Sequence, residues 1–420
     1  MENRNIWIIN HYALIPSKDG SYGRHIGLAR HLMDLGWLPT VFAASTRHPS
    51  GEQAWPPRKK GQLVTIENGV PCVWVRAARY GHSMVLRMLN ILGFTLRLLL
   101  PSTTKGLAKP ALIWGSTVHP LAAWSASVLA RRLRVPFVYE IRDIWPESLI
   151  DLKAVKPHGM VAKVLYRLSD DLVRQSDLVI SPLREISKYL QDRGFSNQPS
   201  LWISNAIDED LNHDTFSDVD GAQRPFTFMY LGSFGFGNDI DTLFQAFDDA
   251  CRALPDQALR LRLVGDGPRQ QHLLALARSL DCREAITFEP KVPRADVFRK
   301  AAEADCLVAN LAPMPVLQYG ISPNKYFDYM LAERPAIVAA PTAKNPIDEA
   351  GSGITFLPGS RTELAKALVK MPQLSDAERR ELGLRGKRHV LENYTYQALA
   401  RRLADALDCQ PLNHPKKEQP

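Results

Sequence analysis

The sequence predicts an α/β protein built from two doubly wound, parallel-sheet (Rossmann-like) domains facing a central cleft. Three observations predict it. At 420 residues the chain is too long for one usual core. Apolar runs alternate with helix-period segments along nearly its whole length, the beat of strand–helix–strand units. One stretch, 194–225, breaks that beat with Asn, Asp, Ser and Pro, including Asp208, Glu209, Asp210, Asp214, Asp218 and Asp220, and the beat restarts after it.

The elements follow in order. Residues 6–10 read as a strand. Residues 22–35 read as a helix, with Ile26, Ala29, Leu32 and Met33 on one face and Gly36 as its stop. Residues 40–43, 63–67 and 70–75 are strand-like, the last two joined by the tight-turn dipeptide Asn68-Gly69. The beat continues with strands at 111–114, 137–141 and 178–181 and helices at 122–132 and 183–191. Beyond the break, strands are predicted at 226–231, 260–264, 285–288, 306–309 and 336–339. A helix at 396–407 precedes a Pro- and Lys-bearing tail of disordered composition. The expected domains are 1–205 and 206–395, with a helix at 396–410 crossing back to the first domain and a tail at 411–420.

Composition is that of an ordinary globular protein, with 45% hydrophobic and 23% charged residues. The formal charge of +8 is unevenly placed. No acid lies between Glu67 and Glu140, where Arg76, Arg79, Arg87, Arg97, Lys105, Lys109, Arg131, Arg132 and Arg134 account for the whole excess. Such a patch calls for an anionic partner, and lipid, diphosphate and nucleic acid all fit it. The apolar run 84–100 is short for a membrane span and is interrupted by Arg87 and Arg97. Its basic flanks, from Arg79 to Lys109, suit an interfacial helix on an anionic membrane surface; a buried helix of the first domain is the competing reading. Five scattered cysteines without a C-x-x-C pair argue for buried thiols, not a disulfide framework or zinc site. The start, Met1-Glu2-Asn3-Arg4, runs straight into a strand and reads as no signal peptide, so a cytoplasmic protein is expected.

Several motifs sit where strands hand over to helices, the usual place for ligands in such sheets. Gly20-Ser21-Tyr22-Gly23-Arg24-His25 offers glycines and a helix start to an anion. In Gly320-Ile321-Ser322-Pro323-Asn324-Lys325-Tyr326-Phe327-Asp328, Ser322 is expected as the N-cap and Pro323 as the first helical residue. Lys325 then opposes the helix dipole, a poor choice for stability and a good one for holding a diphosphate. Gly265-Asp266-Gly267-Pro268 reads as a strand-to-helix turn with Pro268 starting the helix. Arg142-Asp143 and His119 stand at strand ends as candidate catalytic groups. Asp239 and Asp241 open a helix, where acids are favourable without any metal.

Together these segments resemble glycosyltransferase family 4, and more narrowly its fucosaminyltransferase-like branch of bacterial surface-polysaccharide synthesis. Gly20 to His25, His119-Pro120-Leu121, Arg142 to Ser148, Asn205-Ala206-Ile207-Asp208, Gly265 to Pro268 and Tyr319 to Met330 stand in family order over nearly the whole chain. The resemblance implies the GT-B fold, with an acceptor-side N-terminal domain and a nucleotide-sugar-binding C-terminal one. It implies retaining transfer from a UDP-sugar. The basic, apolar stretch from Arg76 to Lys109 favours a lipid-linked acceptor, a polyprenyl-diphosphate-linked saccharide, and the reading of Asp239 and Asp241 as helix-start acids leaves no metal or other cofactor expected. Asn324 and Lys325, with the Ser322 helix start, would hold the diphosphate, and Asp328 the ribose. Gly20, Gly23, Gly265, Asp266 and Gly267 would line the donor site. There are departures. The family's paired glutamates appear as Gly320 and Asp328, the usual histidine near 141 is replaced by Arg142-Asp143, and the loop 232–238 lacks the usual basic residue, a gap Arg24 is expected to fill. A sugar-nucleotide epimerase of the same architecture is the rival reading. A non-enzymatic lipid- or nucleic-acid-binding protein is another, though no nucleic-acid motif supports nucleic acid as a partner.

Overall fold

The computed structural model describes residues 3–19, 23–55, 62–81, 83–207, 224–341 and 345–409, and in them the apolar runs become the strands of two separate sheets. Gly20, Ser21 and Tyr22, the acids Asp208, Glu209, Asp210, Asp214, Asp218 and Asp220, and the tail 411–420 lie outside the described residues. The chain divides into two units, one running to Ser204 and including the segment from Tyr396, the other Asn205–Thr395.

The first unit holds β1 (Asn5–Ile9), β2 (Leu38–Ala44), β3 (Gln62–Glu67), β4 (Val70–Val75), β5 (Leu112–Ser116), β6 (Phe137–Glu140), β7 (Leu178–Ser181) and β8 (Ser200–Trp202). Their order is β3-β4-β2-β1-β5-β6-β7-β8, parallel except for the β3–β4 hairpin. That hairpin turns at Asn68 and Gly69, both at positive φ (50° and 80°), the backbone such a two-residue turn demands. The direction of winding reverses between β1 and β5, so the crevice at their carboxyl ends is the natural ligand position. β8 corrects the sequence reading: Ser200–Trp202, inside the polar 194–225 stretch, pairs with β7. The helix Gly23–Asp34 buries Ile26, Ala29 and Leu32 as its period predicts, and Leu28 besides, but Met33 is exposed and the polar Arg24 and His25 are buried. The helix Tyr396–Cys409 packs on it, with the Tyr396 ring against Gly27.

The helix Met84–Leu98 is capped by Ser83, whose Oγ accepts the Leu86 N–H at 3.3 Å. It buries only Asn90, Phe94, Thr95 and Leu98. Met84 is 73% exposed, Val85 71%, Met88 and Leu89 52% and Leu96 61%, so the reading of an ordinary buried helix does not hold. No helix among the described residues is long and apolar enough to cross a membrane.

The second unit holds β9 (Phe226–Leu231), β10 (Leu259–Val264), β11 (Ile286–Glu289), β12 (Cys306–Ala309), β13 (Ala336–Ala339) and β14 (Gly353–Phe356), all parallel in the order β11-β10-β9-β12-β13-β14. Winding reverses between β9 and β12. Phe228, Tyr230, Phe234, Phe244 and Phe247 fill the core on one side of the sheet, and burial of every residue of β9 explains a sequence that is apolar but for Thr227.

Candidate functional site

At the carboxyl ends of β9 and β10 the second unit opens a pocket of about 390 Å³. Leu231, Gly232, Ser233, Val264, Gly265 and Asp266 form one wall; Lys291, Val292 and Arg294, from the loop after β11, form another. Asn324, Lys325, Asp328 and Tyr329, from the helix Asn324–Leu331, close it.

The loops that shape this pocket lock on each other through glycines. A side chain at Gly265 would place its Cβ 1.9 Å from the Gly232 carbonyl oxygen, and one at Gly267 would lie 2.7 Å from the Phe234 backbone nitrogen. Only hydrogen atoms fit there, and the Phe234 N–H accordingly reaches the Asp266 carbonyl at 2.7 Å. Gly265 and Gly267 thus hold two loops together, and Asp266 pairs with Lys291 at 2.8 Å. Pro268 does not start the following helix; that helix is Gln270–Arg278 and Pro268 lies in the turn before it.

Ser322 is not the N-cap. Pro323 occupies that position, and Ser322 is held the other way: its Oγ accepts the Asn205 N–H at 2.9 Å and its carbonyl accepts the Asn205 side-chain N–H at 2.7 Å. Asn205, the first residue of this unit, therefore fixes the loop that presents the helix start. Asn324 is exposed at that start. Lys325 lies against Gly232, whose missing side chain leaves it room, and its Nζ donates to Tyr230 Oη and Asn238 Oδ1, each at 3.0 Å. Neither partner carries a charge. Burial therefore lowers the ammonium pKa to about 7. Asp328 is buried and is gripped by Arg294, Nη1 and Nη2 each donating to a carboxylate oxygen at 2.6 Å. Lys325 and Asp328 thus have separate partners, and two further cations line the pocket, Lys291 paired with Asp266 and Arg294 paired with Asp328. Sequence reasoning missed both of these. Their one signal was a basic pair, Lys291 and Arg294, directly after a short strand.

In the first unit, Arg24 overturns an expectation. Its guanidinium is turned inward: Nε donates to Glu140 Oε1 at 2.6 Å, Nη2 to the Ile203 carbonyl at 2.7 Å and Nη1 to the Ser204 carbonyl. With every nitrogen engaged and the side chain buried, it does not supply the missing phosphate contact. His25 accepts from the Asn10 amide on Nδ1 at 2.9 Å and so donates from Nε2 to Glu140 Oε2 at 2.6 Å. Burial pushes the Glu140 pKa up, but Arg24 and His25 outweigh it and hold the carboxyl well below its usual range. Gly23 opens this helix at a φ of 60°, packed on Leu14.

His119 is the N-cap of the helix Pro120–Leu133. Its Nδ1 accepts the Ala122 N–H at 3.3 Å, so Nε2 carries the proton and donates to His11 Nδ1 at 2.5 Å. His11 in turn donates from Nε2 to Asn90 Oδ1 at 2.9 Å. Burial, with Arg87 adding to it, lowers the His119 pKa to about 3. Both ring nitrogens are used, so the expected free cleft histidine is a helix cap in a buried chain of hydrogen bonds. Arg142 and Asp143 occupy the turn after β6; the Arg142 N–H donates to Thr117 Oγ1 at 3.0 Å, and Asp143 is exposed.

Asp239 caps the helix Ile240–Ala253, accepting the Thr242 N–H at 3.3 Å, while Asp241 pairs with Arg269 and His272. No group of three His, Cys, Asp or Glu poised for a metal occurs among the described residues.

Two family models match the chain: "Glycosyl transferase 4-like domain" over residues 26–206 and "Glycosyl transferases group 1" over residues 225–373. No curated protein matches it. Among solved structures, the fold is similar to that of sucrose-phosphate synthase from Thermosynechococcus elongatus, at 16% identity and a TM-score of 0.73, covering 96% of this chain and 98% of that one. It is similar to Anabaena HepE in complex with UDP-glucose, at 16% identity and a TM-score of 0.66, covering 97% and 100%. It is also similar to an α,α-trehalose-phosphate synthase (UDP-forming) from Burkholderia vietnamiensis, at 13% identity and a TM-score of 0.66, again covering 97% and 100%. The two domains are those of a GT-B glycosyltransferase.

Proposed function

We propose that this chain is a retaining, metal-independent glycosyltransferase. It moves a sugar, in the narrower resemblance an N-acetylated amino sugar, from a UDP-sugar to a polyprenyl-diphosphate-linked saccharide in surface-polysaccharide synthesis. The observation that carries the reading is the second unit's pocket, where Lys325, held by the neutral Tyr230 and Asn238, stands beside the start of the helix Asn324–Leu331. A departing UDP develops negative charge on its diphosphate. Preorganised N–H groups at a helix start and nearby cations stabilise that charge without a metal ion. In this reading Asn324 and Lys325 receive the diphosphate, with Ser322 shaping the loop before them. Asp328, oriented by Arg294, takes the ribose, and Gly265, Asp266 and Gly267 keep the wall thin. Gly20 and Gly23 help to place the reacting sugar.

Asp239 and Asp241, the acids that most resemble a metal-binding pair, are committed to a helix cap and to Arg269 and His272, which supports metal-free chemistry. Arg142 and Asp143 are the candidates for assisting at the anomeric carbon. The exposed apolar helix Met84–Leu98 and its basic surroundings favour a peripheral enzyme on an anionic membrane face over an epimerase, which needs no acceptor surface.

The test is a panel of UDP-sugars incubated with and without a polyprenyl-diphosphate-linked saccharide. UDP release should require both substrates, survive excess chelator and give a product with the donor's anomeric configuration. No turnover with any UDP-sugar, an inverted product, or activity lost to chelator and restored by manganese would each refute the corresponding part.

A further inference from the structure

The first unit contains a cation that the donor chemistry does not use. Arg87 lies in the first turn of the helix Met84–Leu98, on the same side as the buried Asn90 and Phe94 but one turn nearer the N-terminus. Its guanidinium sits 5.9 Å from the Tyr12 ring centre and, among the described residues, has no hydrogen bond or ion pair. Around it stand aromatic and imidazole groups from the loops after β1 and β2. Tyr12 stacks on His48 with ring centres 4.2 Å apart, and His48 Nδ1 meets Tyr80 Oη at 3.0 Å. The Tyr12 hydroxyl is buried without a hydrogen-bond partner. These loops lie at the carboxyl edge of the first sheet, beside its β1–β5 reversal. The sequence offers no acid anywhere between Glu67 and Glu140 to neutralise Arg87.

The same helix carries the apolar stripe described above, with Met84, Val85, Met88, Leu89 and Leu92 all more than 40% exposed. A cation with no carboxylate opposite it among the described residues, set 5.9 Å from a ring whose hydroxyl has no hydrogen-bond partner, suits an anionic oxygen cluster. An exposed aliphatic stripe starting at the same turn suits a hydrocarbon chain. We infer that Arg87, with the Tyr12–His48 stack beside it, binds the phosphate or diphosphate head of an amphiphilic acceptor whose hydrocarbon chain lies along the exposed face of the helix Met84–Leu98. The site rests on the transferase reading for its purpose and specifies the acceptor half of it. It requires a ligand in which charge and chain are joined directly, as in a prenyl diphosphate, so neither a free sugar nor a sugar phosphate alone would satisfy it.

The experiment is calorimetric titration of the full chain with farnesyl diphosphate, inorganic diphosphate and farnesol, with UDP saturating so that the other diphosphate site is filled. Farnesyl diphosphate should bind best. Arg87→Gln should weaken it at least tenfold, Arg87→Lys by only a few-fold, and the pair Met88→Gln with Leu92→Gln should weaken farnesyl diphosphate while leaving inorganic diphosphate unchanged. UDP affinity should stay constant in all variants. Equal farnesyl diphosphate affinity in wild type and Arg87→Gln, or equal affinity of the wild type for inorganic and farnesyl diphosphate, would overturn the site. Failure of the wild type to bind UDP would instead sink the donor reading, and the Arg87 comparison would still be decisive on its own.

Discussion

Arg24 and Lys325 are placed alike in sequence. Each is basic, each stands in the first turn of a helix, and each helix follows a glycine-bearing loop. Their surroundings differ. Arg24 is met by a buried carboxylate and two backbone carbonyls, whereas Lys325 is met by a phenol and an amide. A buried cation with complete partners is a structural element, costly to disturb and closed to ligands. One held by neutral partners retains its capacity for an anion, and its depressed pKa records the imbalance. The local motif therefore does not say which basic residue binds. The answer depends on whether a carboxylate distant in sequence arrives opposite it.

The largest effect should come from breaking the closed site. Glu140→Gln leaves Arg24 buried without its counter-charge, and stability should fall by about 3–5 kcal/mol in urea unfolding. Because the folded-state pKa of Glu140 is depressed, its contribution is fully present above the unfolded-state value of about 4.3 and is lost as pH falls through the folded value. The variant should therefore lose the steepest part of the wild type's acid unfolding. A change below about 1 kcal/mol would mean that the triad is not the structural element described.

A smaller effect sharpens the open site. With its pKa near 7, Lys325 is largely neutral at pH 8–9 in the free protein and must take up a proton to meet a diphosphate. UDP affinity should fall as pH rises above 7, by up to about tenfold per unit, because the charged form becomes scarce. Below about pH 6 the terminal phosphate of UDP begins to protonate and affinity should fall again. Calorimetry at pH 8 in buffers of different ionisation enthalpy should report uptake of close to one proton, lost in Lys325→Met. Buffer-independent heats would contradict this.

The contrast also explains what the sequence could and could not disclose. Parallel strands buried on both faces announce themselves as apolar runs, and Cys306–Ala309 and Ala336–Ala339 fall where those runs lie. Ser200–Trp202 did not, because a three-residue edge strand in a polar stretch carries too little pattern. The helix Asn324–Leu331 and the presence of Lys325 in its first turn were legible from local chemistry. The pairing of Arg24 with Glu140, of Ser322 with Asn205 and of Arg294 with Asp328 was not, since each joins residues far apart in the chain. For the same reason His119 read as a cleft group when its nitrogens are spent on Ala122 and His11.

The most direct test of the donor site is titration of wild type and Lys325→Ala with UDP and with uridine. The variant should bind UDP about 1.5–3 kcal/mol more weakly, the worth of a charge-assisted hydrogen bond, while uridine binding, which involves no phosphate, stays unchanged. Equal UDP affinity in the two proteins would contradict the assignment of Lys325 to the diphosphate and, with it, the reading of this pocket as the donor site.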